Sequence, residues 1–251
     1  MMTARIRNTA LGCTLLAVLA GCAGNPATGG ASVVVMSEGK EAQIGQEMYV
    51  EIQKEGTIYD DRELQDYVNR IGQRLVANTE RPELPFTFTV IDSPDLNAFA
   101  TPGGYVYIHR GLLAYLDSEA ELAGVLGHEI AHVTARHAAR QRAGSITTQV
   151  LAVTAGVLTG SRDIMDSAGM YGTELVRGYG REHELEADGL GARYMHLSGY
   201  EPDALLNVIG VLKDQEQYQR VRAKAGGKPP GTYHGLYATH PRNDQRLQTV
   251  I

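Results

Sequence analysis

The tightest constraint on this chain is the pentapeptide His128-Glu129-Ile130-Ala131-His132, because it lies inside a helix whose start is written in the sequence. Ser118 and Glu121 make the S-x-x-E pattern of a capping box ahead of an apolar run. The predicted helix carries Leu122, Val125, Leu126 and Val133 and runs to about Gln141. Residues four apart on a helix are separated by about 400° of rotation and one turn of rise, so both imidazoles leave the same face. They are expected to bind one tetrahedral Zn²⁺ per chain. Glu129 is offset by about 100°, beside the open coordination position rather than aimed at the metal. A carboxylate placed there suits a general base, taking a proton from zinc-activated water during attack on a carbonyl and handing it to the leaving amine.

A hydrolytic zinc takes three protein ligands and keeps its fourth position open. The chain does not continue as H-E-x-x-H-x-x-G-x-x-H, since positions 135 and 138 are both alanine. His137 lies five residues past His132, about 140° round a continuous helix. It is expected to point elsewhere, as a structural or surface histidine. The better source is the run Arg181-Glu182-His183-Glu184-Leu185-Glu186-Ala187-Asp188. Glu184 and Asp188 share a helix face, so Glu184 is expected to bind the metal while Asp188 accepts a hydrogen bond from a ligand imidazole. Glu186 points to another face, and Glu182 and His183 are lesser alternatives for the third ligand.

The N-terminus reads as a targeting segment over residues 1–21. Arg5 and Arg7 precede an apolar run from Thr9 to Ala20 that is too short for a comfortable transmembrane helix. The run ends in Leu19-Ala20-Gly21-Cys22, which resembles the bacterial lipobox more than an ordinary secretory cleavage site and makes Cys22 the expected lipidation site. Cys13 would leave with the signal, so no disulfide framework is implied. Ala23 follows where an aspartate would mark inner-membrane retention, which in a Gram-negative envelope favours an outer-membrane anchor facing the periplasm. Residues 22–36 form the lipidated N-terminus and a tether, with 23–32 rich in Gly, Ala and Pro and having nothing to bury. A net charge of −6 gives none of the basic footprint of a nucleic-acid binder.

Residues 37–251 read as one domain. Helices are expected over Glu38 to Lys54 and about Asp61 to Asn78, the second with Leu64, Val68, Ile71 and Leu75 on one stripe. Phe86, Phe88 and Val90 alternate with Thr87 and Thr89 as a strand with one buried face, and Tyr105 to His109 form another. Residues 144–172 are small and Gly-rich, without a clear element. Further helices are expected from about Thr173 to Ser198 and from Pro202 to about Lys224, followed by a loop over 225–231 and a tail.

Taken together, Asn97-Ala98-Phe99, Thr101-Pro102-Gly103-Gly104, H-E-I-A-H with Arg136-His137, Arg181-x-x-Glu184-x-Glu186-Ala187-Asp188 and Thr239-His240-Pro241 resemble the bacterial HtpX-like and CAAX-prenyl-protease-like zinc metallopeptidases. The likeness is greatest to their single-domain lipoprotein members. Where that family often has Tyr-Ser-Arg, this chain has Tyr179-Gly180-Arg181. The resemblance implies a mainly α, α+β gluzincin fold, with the active-site helix beneath a small sheet and further helices supplying the third ligand. It implies an edge strand beside the cleft, here Gly104, Tyr105, Val106 and Tyr107, that binds extended peptide by strand addition. Unfolded or misfolded polypeptide would then be the substrate, and His240 would stabilise the transition-state oxyanion or cap the zinc. The leading reading is a lipid-anchored envelope endopeptidase. A non-catalytic chaperone or assembly factor using the same cleft, and a zinc hydrolase of non-peptide bonds in the cell wall, stand as alternatives.

Overall fold

The computed structural model describes residues 22–34, 36–55, 57–143 and 180–225. The signal segment, residues 144–172, the loop after Ala225 and His240 lie outside them.

A β-hairpin opens the described chain, with β1 (Cys22–Gly24) antiparallel to β2 (Ala31–Val33). Asn25 and Ala27, in the turn between them, are buried. This corrects the expectation of a tether with nothing to bury. Asn25 docks through a side-chain hydrogen bond to Glu186, 161 positions away, which a free linker would not make. Helix α1 (Glu38–Lys54) follows, capped by Ser37, and α2 (Arg62–Val76) is capped by Asp61, whose carboxylate accepts from Leu64 N. Val68, Ile71 and Leu75 of the anticipated stripe are buried, and Leu64 is half-buried at the margin.

The sheet is three-stranded, in the order β3 (Thr87–Ile91), β5 (Tyr105–His109), β4 (Ala98–Thr101). Strand β3 runs parallel to β5, Thr87 opposite Tyr105, and β4 runs antiparallel to it, Phe99 opposite Tyr107. Strand β5 is therefore central, which corrects its expected place at the edge. Val106, Tyr107 and Ile108 are buried because both flanks and both faces are covered. The outer side of β3 is partly covered by an antiparallel bridge between Ile58 and Ile91, which leaves β4 as the open edge among the described residues. Thr89 is buried as well as Phe88 and Val90, so β3 has no solvated face. Between β4 and β5 the chain turns at Gly103 and Gly104, both at positive φ. A β-carbon at Gly103 would lie 2.8 Å from the Ala42 backbone.

After the short helix α3 (Arg110–Leu113), α4 (Glu119–Thr134) runs through the centre of the molecule, packed against the sheet, α2, α5 (Arg181–Leu197) and α6 (Ala204–Ala225). Every residue from Glu121 to Thr134 is buried. The cap works as the sequence suggests on one side, Ser118 Oγ accepting from Glu121 N at 3.2 Å. The Glu121 carboxylate returns to Asp117 N, one residue earlier than the simple box. Helix α4 stops at Thr134 rather than near Gln141, because Arg136 takes a left-handed backbone with φ 56°. The chain resumes helical structure over 137–143 on a new axis. Helix α5 starts at Arg181, after an extended Gly180, and residues 173–179 of the expected helix lie outside the described residues. Where α4 crosses α5, a β-carbon on Gly191 would lie 2.9 Å from His128 N and 3.0 Å from the Gly127 carbonyl carbon. The two backbones touch there.

Candidate metal centre

Helices α4 and α5 bring His128, His132 and Glu184 together, all buried, each offering one ligand atom within 4.8 Å of the others. The two Nε2 atoms are 3.0 Å apart. Glu184 Oε2 is 3.5 Å from His128 Nε2, and its Oε1 is 3.5 Å from His132 Nε2. A tetrahedral ion held at about 2.0–2.1 Å separates its ligand atoms by about 3.3 Å, so the three donors already have the spacing of one zinc shell.

Hydrogen bonding behind the imidazoles supports the same fit. His128 Nδ1 lies 2.8 Å from Asp188 Oδ1, which puts its proton on Nδ1 and turns the Nε2 lone pair towards the shared space. Two imidazole lone pairs and a carboxylate converging at this distance repel one another, and a divalent cation relieves that repulsion. Glu129 is buried one residue along from His128 on α4, 1% exposed.

His137 is not the outlying residue that a continuous helix implied. The left-handed step at Arg136 turns the chain so that His137, fully buried, sets its Nδ1 2.8 Å from His132 Nδ1. Its Nε2 is 3.1 Å from Glu186 Oε2. Glu186 also accepts from Arg140 Nη1 at 2.7 Å and from Asn25 Nδ2 at 2.6 Å. Burial alone would raise the Glu186 carboxyl. The hydrogen bonds from His137 and Arg140, with the Arg140 charge, outweigh it and hold the group down at about 2. His183 stacks on His137 at 4.4 Å between ring centroids. Burial, with His137 and Arg140 nearby, pushes its imidazole down to about 4. The one sequence signal for this group was that Arg136-His137 and Glu186 recur in the quoted motifs, since helical spacing sent both elsewhere.

Of the remaining anticipated residues, Gly104 lies in the β4–β5 turn and Tyr105, Val106 and Tyr107 on the central strand. Cys22 begins β1. Gly180, the departure from the Tyr-Ser-Arg pattern, is the N-cap of α5 and so leaves Glu184 on the first turn of that helix.

The model of peptidase family M48 matches residues 62–250. The chain belongs to peptidase family M48. The match spans both helices of the centre and continues through His240. The beta-barrel assembly-enhancing protease of Yersinia pestis is 37% identical over 199 residues, covering 76% of this chain and 38% of that protein. The protein of the same name in Escherichia coli (strain K12) is 31% identical over 231 residues, covering 88% and 45%. The mitochondrial metalloendopeptidase OMA1 of Schizosaccharomyces pombe is 28% identical over 218 residues, covering 84% and 60%. This M48 chain thus spans less than half the length of the bacterial relatives.

Proposed function

We propose that this chain is a zinc-dependent endopeptidase of the cell envelope that hydrolyses unfolded or misfolded envelope proteins. The observation that carries this reading is the convergence of His128, His132 and Glu184 at zinc-ligand spacing, beside a buried Glu129. The name of the bacterial relatives, beta-barrel assembly-enhancing protease, adds a setting in the assembly of β-barrel proteins. Lipid on Cys22 would anchor the protein to the outer membrane, facing the periplasm. No helix of the described residues is long and apolar enough to cross a membrane.

Zinc, when bound, supplies a Lewis acid that polarises the scissile carbonyl and acidifies water. The residues do the rest. His128, His132 and Glu184 hold the ion, and Asp188 fixes the His128 tautomer. Glu129 takes the proton of water as its oxygen adds to the carbonyl carbon, then delivers it to the amine nitrogen as the C–N bond breaks. His240 would donate to the oxyanion. The peptide would lie along β4, whose outer edge offers backbone groups for strand addition. That mode reads backbone more than side chains, so specificity would be broad.

The test is cleavage of a permanently unfolded protein by the purified chain, with and without chelator. Glu129→Gln should keep its zinc and lose about 10²–10⁴-fold in turnover. A folded, zinc-loaded protein that cleaves nothing, and still cleaves nothing as His240→Ala, would replace the endopeptidase by a binding module.

A further inference from the structure

The two imidazoles of the centre are backed in different ways. His128 leans directly on a carboxylate, Asp188, 2.8 Å away. His132 has another imidazole behind it. We propose that His137 and Glu186 form a positioning relay for His132, holding its tautomer and ring orientation from the side opposite the metal. This rests on His132 being a ligand, as proposed above.

The protons can be placed from the ligand outward. For His132 to offer Nε2 to a metal, its proton must sit on Nδ1. That N–H donates to His137 Nδ1 across 2.8 Å, so His137 must keep its Nδ1 lone pair free to accept. The His137 proton is then on Nε2 and is donated to Glu186 Oε2 across 3.1 Å. Each hydrogen bond has one donor and one acceptor, and the chain ends on an anion held by Arg140 and Asn25.

The relay reaches His132 through its Nδ1, which lies 2.8 Å from His137 Nδ1. Asp188 is taken up by His128, and Glu186 lies about 200° round the helix from Glu184. The Arg136 turn brings in the imidazole that spans the gap. Stacking on His183, at 16° between ring planes, fixes the rotation of that imidazole. The anion reaches His132 through a neutral ring and shares its charge with Arg140, so it polarises His132 less than Asp188 polarises His128.

The test uses the full chain and reads metal binding rather than turnover. Zinc affinity is measured by competition with a chromophoric chelator, and ligand geometry by the visible absorption of the Co²⁺ form. His137→Ala is expected to lose about 10–100-fold in zinc affinity and to alter the Co²⁺ spectrum. In His137→Asn the amide oxygen replaces the Nδ1 acceptor and should recover most of both. Glu186→Ala should lose affinity in the same direction. A folded His137→Ala with the parent's affinity and spectrum overturns the relay. Should that variant not fold, Glu186→Ala decides by the same two readings. Glu184→Ala is measured alongside: if it keeps full zinc affinity, the ligand assignment itself fails, whereas zinc lost there but kept in the relay variants removes the relay alone.

Discussion

Three acids within five positions of α5 face different sets of partners. Glu184 meets both imidazoles, Asp188 meets His128 Nδ1, and Glu186 meets His137, Arg140 and Asn25. Their protonation has a consequence that stability can read. Glu186 is held at about 2 against an ordinary 4.5, and His183 at about 4 against 6.5. Both groups bind fewer protons folded than unfolded, so acid favours the unfolded chain. Chelator-treated protein should therefore begin to lose stability as pH falls below about 6.5, through His183, and lose more between about 4.5 and 2, through Glu186. Thermal melting across pH checks this, and Glu186→Gln should flatten the lower window. A profile flat from neutrality into that window would contradict it.

At the scale of elements, the helix caps and stripes are written locally and are legible in the sequence. Ser118 caps where it was expected to, and the Val68-Ile71-Leu75 stripe is buried. What local signals missed depends on the chain turning or pairing at a distance. An arginine is a poor predictor of a left-handed residue, so nothing local announced the end of α4, and His137 was sent to the wrong side. The edge position expected for β5 came from the family resemblance and not from its own residues. Its central position follows from a parallel partner 18 residues upstream, Thr87 against Tyr105, and periodicity says nothing about partners. The H-E-x-x-H and Glu184-Asp188 pairs were legible because both ride on continuous helix, where four residues mean one face. The start of α5 yields a prediction of its own. Gly180 caps it without a side chain, in extended backbone at φ −64°, with nothing among the described residues within 4 Å of where a β-carbon would sit. Gly180→Ser should add a cap worth about 0.5 kcal/mol and raise the melting temperature by about 1–2 °C.

Across the whole molecule, the N-terminal segment is fastened to the end of α4. Arg136 donates to Glu41 at 3.1 Å and to the Met36 carbonyl at 2.7 Å, while Arg81 pairs with Glu38. Burial outweighs the help of Arg136 and raises the Glu41 carboxyl. The pair therefore has little surplus, but splitting it strands a buried charge. Glu41→Ala should cost about 3 kcal/mol in equilibrium unfolding, and a loss below about 1 kcal/mol would mean that water reaches Arg136 freely.

The contact between Gly191 and the backbone at Gly127 and His128 bears on how finely the centre is made. Most distances between helices are settled by side chains, which can shift rotamer and let the gap drift by several tenths of an ångström. Here the stop is main chain against main chain, as in a gauge whose jaws close on solid metal. The span from the two imidazoles to Glu184 therefore inherits the tolerance of covalent geometry. A single methyl on Gly191 would act as a shim, opening the jaws at the place where the donors are set.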